Sequence, residues 1–381
     1  MDFHFSEEQN AIRELAREVL EREATPERIK GAEASAGWTD QALWKTLAEA
    51  NLLGVAIPEA HGGMGFGFTE LCLLLEEVGR ATAPLPALAT LTAALPLAEF
   101  GSEAQQAVWL PKVAAGEAIL TAALEDAESG DAAAPATRAS ARAEGDGFVL
   151  DGQRRRVPFA ASAAAVLVPA TADDGTAIFL VDPRSDGVRL EPRVTSTGEP
   201  LFEMTLAGVC VPAEARLGGS DTDGAAAVRW LEERTLVALA ALQVGVAARA
   251  LEITADYARE REQFGVPIGS FQAVQHRCAD AFIDVEALRW TLWRAAWRLA
   301  EGLPASREAW VAKFWAADAG ARVAAATIHL HGGLGSDVDY PIHRHFLWSK
   351  ALELCLGGAG PQLARLGRDM ARTGPLLQES A

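Results

Sequence analysis

The strongest constraint on the fold is a corner between two long helical patterns. Apolar residues recur at helical spacing from about Ala226 to Glu262, and again from about Phe271 to Gly302. Between them stands Arg261-Glu-Gln-Phe264-Gly-Val-Pro-Ile-Gly-Ser-Phe271-Gln272, in which Gly265, Pro267 and Gly269 interrupt the helix. Ser270 is placed to cap the helix that resumes. A third pattern runs from about Ser306 to His331, so the last part of the chain reads as a helical bundle. Trp290, Trp293, Trp297, Trp310 and Trp315 fall at helical spacing and read as packing between these helices.

The rest of the chain has two further textures. From Ser6 to about Gly116 the pattern is again helical. Ser6-Glu-Glu-Gln9 is a capping box, followed by Ile12, Leu15, Ala16, Val19 and Leu20 on one helix face. A helix from Thr69 is expected to close at Gly79-Arg80. From about Leu120 to Gly219 the runs are short and apolar, as in Gly147-Phe-Val-Leu-Asp-Gly152 and Ala177-Ile-Phe-Leu-Val181. Asp151-Gly152 and Asp174-Gly175 read as hairpin turns. The expectation is an α+β chain in three parts. These are an N-terminal helical domain (1–119), a middle antiparallel β-barrel or sandwich (120–222) and a C-terminal four-helix bundle (223–381).

Composition excludes some functions. A formal charge of −18 over 381 residues argues against a general nucleic-acid binder, which needs a basic face. It leaves room for an anionic ligand held by local arginines. The four cysteines (Cys72, Cys210, Cys278, Cys355) form no C-x-x-C pair, so neither a metal site nor a disulfide framework is expected. Each reads as a small buried apolar side chain. The first residues are acidic and lack the apolar core of a signal peptide, and no run reads as a membrane span. The expected compartment is the cytoplasm.

Several motifs together resemble the acyl-CoA dehydrogenase family over nearly the whole length. They are Pro58-Glu-Ala-His-Gly62-Gly-Met-Gly65 with Glu76-Glu-Val-Gly79-Arg80, and Gly101-Ser-Glu-Ala-Gln105 with Trp109-Leu-Pro111. The corner at Arg261–Asp280 and His331-Gly332-Gly333-Leu-Gly335 with Asp339-Tyr340-Pro341 complete the set. The resemblance implies FAD as cofactor and an acyl-CoA thioester as substrate. It implies a reaction in which a carboxylate takes the α proton while a hydride leaves the β carbon for the flavin. Such chemistry needs a cofactor arm, a flavin-ring pocket and a base held in a dry site.

By this resemblance the arm is present. Arg261 would pair with the pyrophosphate of a neighbouring subunit's FAD, Phe264 would pack at the adenosine side, and Gln272 would hydrogen-bond the cofactor. Gly332 and Gly333 would admit it closely, and His329 stands where the family usually has Gln. The ring pocket departs from the family. Its Thr-Glu-Pro-x-x-Gly-Ser-Asp motif is here Leu124-Glu125-Asp126-Ala-Glu-Ser129-Gly130-Asp131. Its Trp-Ile-Thr is here Arg156-Val157-Pro158, which removes an aromatic lid and a hydroxyl. Arg154, Arg155 and Arg156 read either as a solvated strand face or as a clamp for CoA phosphates or an interface carboxylate. The usual base position is Leu356, which cannot take a proton. The family's other base position, near the start of the long helix, falls on Thr235, beside Glu232 and Glu233. Those two are candidates for the base; a helix start also favours carboxylates for its dipole alone.

The pattern resembles the catalytically incomplete subunit of bacterial heteromeric dehydrogenases acting on steroid side-chain CoA thioesters. A second acyl-CoA dehydrogenase-like chain, in a heterotetramer, would then supply the base and the flavin-ring contacts. Two alternatives stand beside it. One is a self-sufficient homotetramer with Glu233 or Glu232 as base. The other is a flavin monooxygenase-like relative or binding scaffold.

Overall fold

The computed structural model describes residues 4–141 and 146–374. The sequence alone reads the tail after Thr373 as frayed; apart from Gly374 that tail lies outside the described residues. The chain divides into two compact units. The first comprises the residues up to Leu74 and Pro84–Thr235; the second comprises Leu75–Ala83 and Leu236 onward.

In the first unit, α1 (Glu7–Glu23) begins at the expected capping box, with Gln9 and Ser6 answering each other's backbone N–H. Helices α2 (Pro26–Glu33) and α3 (Gln41–Glu49) follow, capped by Thr25 and Asp40. Helix α4 (Phe68–Ala81) opens here, and α5 (Ala87–Phe100) and α6 (Glu103–Ala114) complete the layer. Helix α5 is apolar all round and buried from Ala89 to Leu97, so it is core on every side. Eight strands form one sheet: β1 (Leu120–Ala122), β2 (Glu125–Asp126), β3 (Arg138–Ala141), β4 (Phe148–Pro158), β5 (Ala165–Ala172), β6 (Gly175–Val181), β7 (Val188–Arg193) and β8 (Leu201–Val211). The order is β1-β5-β3-β4-β8-β7, with β2 on β4 and β6 on β5. Most pairs are antiparallel, but β1 and β3 run parallel to β5, so the sheet is mixed. The chain does turn from β5 into β6 here, but the turn residues are Asp173-Asp174, and Gly175 is the first residue of β6, paired with Ala172. Asp151-Gly152 does not turn it; these residues sit inside β4 at a register shift against β8. Val157, Val166, Val168, Phe179, Met204 and Leu206 form the core beneath. Each such side chain contributes roughly 1.5–3 kcal/mol by leaving water.

Helix α7 (Gly224–Glu260) is 37 residues long. It contains an 18-residue window of mean hydropathy 1.7, which corrects the expectation that no run is long and apolar enough to span a bilayer. That window is 72% buried inside the protein, as a core helix would be. The second unit adds α8 (Gln272–Ala300), α9 (Ser306–Leu330), α10 (Pro341–Leu354) and α11 (Ala359–Thr373). Gly79 does not close α4. It lies inside the helix where α4 crosses α7, and a Cβ there would overlap the Leu242 carbonyl; one at Gly245 would overlap that of Glu76. Helix α8 buries Leu288, Leu292, Ala295 and Ala296, and α9 buries Ala309, Ala312 and Ala316. None of the five tryptophans is fully buried, and Trp290 is 52% exposed, as are Phe282 (58%) and Ile283 (63%) beside it. Among the cysteines only Cys72 is buried; Cys210 is exposed and Cys278 and Cys355 are intermediate.

Candidate functional site

Helix α7 ends one residue before Arg261, whose N–H still donates to the Tyr257 carbonyl (2.8 Å). The next residues form a hairpin of β9 (Glu262–Gln263) and β10 (Val266–Pro267). Its two-residue turn is Phe264-Gly265, at φ 56° and 82°. Positive φ at both positions matches the twist of a tight hairpin, and a phenylalanine held there is unusual. Phe264 is 94% exposed and meets Phe271 edge to face at 6.2 Å. Ser270 does not cap α8: its hydroxyl donates to the Pro267 carbonyl (2.7 Å), and the N-cap position is Phe271, which makes no side-chain cap. That bond ties the corner instead.

Arg261, Gln272, His329, Gly332 and Gly333 are all exposed. The two glycines have open space where a side chain would stand, and Gly332 is left-handed at φ 58°. The two parts of the arm are brought together by ring stacking. His331 lies against Tyr257 at 4.4 Å and against Tyr340 at 5.2 Å. Together the two parts expose a guanidinium, an aromatic ring, an amide, an imidazole and open backbone.

The ring-pocket segment, in the first unit, is arranged differently. Leu124 is buried. Arg154, Arg155 and Arg156 do not form one face. Arg154 points inward and is fully buried, Arg155 is exposed, and Arg156 pairs with Glu125. Strand alternation explains the first two. A register shift between Arg154 and Val157 re-aims Arg156, which sits at φ 50°. Asp126 is the hub of the turn that follows. Its carboxylate accepts from the N–H groups of Glu128 (2.8 Å), Ser129 (3.1 Å), Ala136 (3.0 Å) and Thr137 (3.1 Å), and from the Thr137 hydroxyl (3.2 Å). It also faces Arg154 Nη1 at 3.2 Å. Burial pushes the Asp126 carboxyl up, but these N–H groups and the Arg154 charge outweigh it and hold it below the usual range. Burial pulls Arg154 down to about 10 against the pull of Asp126. The sequence reading missed this pair. Its signal was present: Leu150 and Arg154 share the inward parity of β4.

No carboxylate occupies position 356. Leu356 is half-buried at φ 52° and Gly357 follows at 90°. The loop is clamped from both sides. Gln362 Nε2 donates to the Leu356 (2.9 Å) and Gly357 (3.3 Å) carbonyls, and Lys313 Nζ donates to those of Leu352 (3.1 Å) and Glu353 (3.0 Å). Burial lowers Lys313 to about 8. At the other base position, Thr235 is buried and its hydroxyl back-bonds to Leu231 (2.8 Å). The charged side chain that α7 buries here is Arg234, 3.5 Å from the Trp230 ring centroid and 5.9 Å from that of Phe68. Burial lowers it to about 10, opposed by Glu233 and Glu99. Glu232 and Glu233, the two residues before Arg234, are half-exposed.

Comparison with known proteins shows the family. The sequence profile of the acyl-CoA dehydrogenase N-terminal domain matches residues 6–117, and that of the C-terminal domain matches 223–371. The chain is 41% identical to acyl-CoA dehydrogenase FadE27 of Mycobacterium tuberculosis, over 98% of this chain and all of that one. Among solved structures, a variant of the Tcur3481–Tcur3483 steroid ACAD is 46% identical, with a TM-score of 0.89, over 96% of this chain and 98% of that one. The ChsE4–ChsE5 complex of Mycobacterium tuberculosis is 40% identical, with a TM-score of 0.91, over 98% of this chain and all of that one. The chain therefore belongs to the acyl-CoA dehydrogenase family, oxidoreductases acting on a CH–CH bond.

Proposed function

We propose that this chain is the half-site subunit of a heteromeric, FAD-dependent acyl-CoA dehydrogenase. Its arm would hold the adenosine–pyrophosphate part of an FAD whose ring lies on a partner chain. One contrast carries the reading. The arm residues Arg261, Phe264 and Gln272 are exposed, whereas the segment that would meet the flavin ring is occupied by its own ion pairs. The observed residues fit the nucleotide end of the cofactor. Arg261 offers a charge-assisted fork for phosphate, the Phe264 ring a stacking surface, and Gly332-Gly333 an open approach. They do not fit the ring. Leu124 and Pro158 offer it no hydrogen, and the turn N–H groups are already taken by Asp126.

When bound, FAD supplies the acceptor for the hydride of an α,β-dehydrogenation. This chain's residues would anchor and orient the cofactor's distal end. The base that takes the α proton would belong to the partner, since position 356 is leucine and the other family position is the buried Thr235, beside the buried Arg234. The substrate class that fits the relatives is the CoA thioester of a steroid side chain. The exposed Phe282, Ile283 and Trp290 on α8 form an apolar face that assembly would cover.

Production of the chain alone and together with its acyl-CoA dehydrogenase-like partner tests this reading. The expected result is a colourless single chain and a yellow complex of two chain types. A yellow chain alone that bleaches on adding acyl-CoA contradicts it and favours the homotetramer. In that case Glu233→Gln and Glu232→Gln decide which glutamate is the base.

A further inference from the structure

His331 is 3% exposed and lies between two phenol rings. Tyr257, from the last turns of α7, stacks on one face at 4.4 Å and an interplanar angle of 24°. Tyr340, at the start of α10, tilts against it at 5.2 Å and 53°. Nδ1 meets the Thr327 carbonyl at 2.8 Å. A carbonyl only accepts, so Nδ1 carries the hydrogen and Nε2 is left with its lone pair. Nε2 is buried and has no partner among the described residues. Each neighbour of this ring leads into a different part of the arm. The Arg261 N–H donates to the carbonyl of Tyr257, and Gly332 follows His331 directly.

We infer that His331 is a positioning residue that locks the Arg261 corner and the Gly332–Gly333 loop to each other, so that the arm grips its cofactor as one piece. This rests on the reading of the arm as an FAD-holding element. The lock needs the neutral ring. A proton on Nε2 would create a buried donor with no acceptor among the described residues. Burial lowers the imidazole below its ordinary value against the opposing bond from Thr327. The titratable groups on its faces are the phenols of Tyr257 and Tyr340; Glu260, near Tyr340, helps to raise that phenol after burial and Tyr257. His329, two residues away, is exposed on the same helix end.

Two variants and two readouts test the lock. His331→Phe keeps a ring in the stack and cannot titrate; His331→Ala removes the ring. Hydrogen exchange of the full chain reads the coupling without any cofactor. In His331→Ala, exchange is expected to rise in 332–336 and also in 258–268, which lies beyond the two phenol rings packed on His331. A rise confined to 332–336 overturns the lock. Flavin fluorescence after ultrafiltration of the two-chain complex then reads FAD retention from about pH 5 to about pH 8. Wild type is expected to release FAD more readily toward the acid end, by about tenfold, the equivalent of ~1.4 kcal/mol. His331→Phe should lose that acid limb, and His331→Ala should retain FAD poorly throughout. An unchanged acid limb in His331→Phe overturns the proposed role of the neutral ring. Coupled exchange with no FAD in any preparation would instead refute the FAD reading while leaving the lock standing.

Discussion

The proposed nucleotide arm and the proposed ring-pocket segment use the same residue types in opposite ways. In the arm, the functional side chains point outward and the structural work is done by others. The Phe264-Gly265 turn, the Ser270–Pro267 bond and the Tyr257–His331–Tyr340 stack hold the frame while Arg261 and Gln272 stay exposed. In the segment from Leu124 to Pro158, the polar side chains are consumed internally. Asp126 gathers four backbone N–H groups, Arg154 is buried beside it, and Arg156 is tied to Glu125. A surface that spends its donors on itself has none left for a ligand. The difference is what a binding element and a structural element look like when built from the same residue types.

Substitutions can break this comparison, and the largest effect should fall on stability in the ring segment. Asp126→Ala leaves Arg154 buried without its counter-charge and frees four N–H groups, at a cost of about 3–5 kcal/mol. Denaturant unfolding measures it, and the Asp126→Ala/Arg154→Met pair should recover part of the loss. The same carboxyl predicts a pH dependence. Its folded pKa is held below its unfolded value, so its contribution is full above about pH 4 and is lost as pH falls through the folded pKa. Asp126→Asn should flatten that acid limb.

The arm should show the opposite behaviour. Arg261→Ala removes an exposed charge, so thermal unfolding of the chain should change little. FAD retention in the complex should fall by about 10- to 100-fold, as for loss of one charged hydrogen bond. A stability loss at Arg261 comparable with that at Asp126 would erase the distinction between the regions. A smaller effect is expected at Lys313, which is buried and lowered to about 8. Between that value and its ordinary 10.5 the unfolded chain holds more protons, so stability should rise with pH across this window. Lys313→Met should remove the slope. The smallest effect is expected at Glu232 and Glu233: changing either to Gln should leave turnover of the two-chain complex within about twofold, since surface substitutions of this kind shift energies by roughly 0.5 kcal/mol.

Much of the fold was legible in the residues. The Ser6–Gln9 box, the two long C-terminal helices and the β texture between them are local patterns, and the helix ends lie within about two residues of their expected places. What was not legible depends on partners distant in sequence. Gly79 reads as a helix end until α7 is seen to cross it. Ser270 reads as a cap until Pro267 is seen within reach. Three consecutive arginines read as one surface until alternation and a register shift send them three ways. The cysteines illustrate the same limit, because burial is a property of the packed strand or helix face. At the candidate base, a shift of one position on α7 separates Glu233 from Arg234, and only packing against Trp230 and Phe68 decides which of them is buried.

The central claim is that this chain serves a cofactor centred on another subunit. Counting flavin against chains in the purified assembly tests it most directly. The account predicts two chain types in equal number, one FAD for each pair, and a colourless protein when this chain is prepared alone. One FAD per chain in an assembly of this chain only would contradict it.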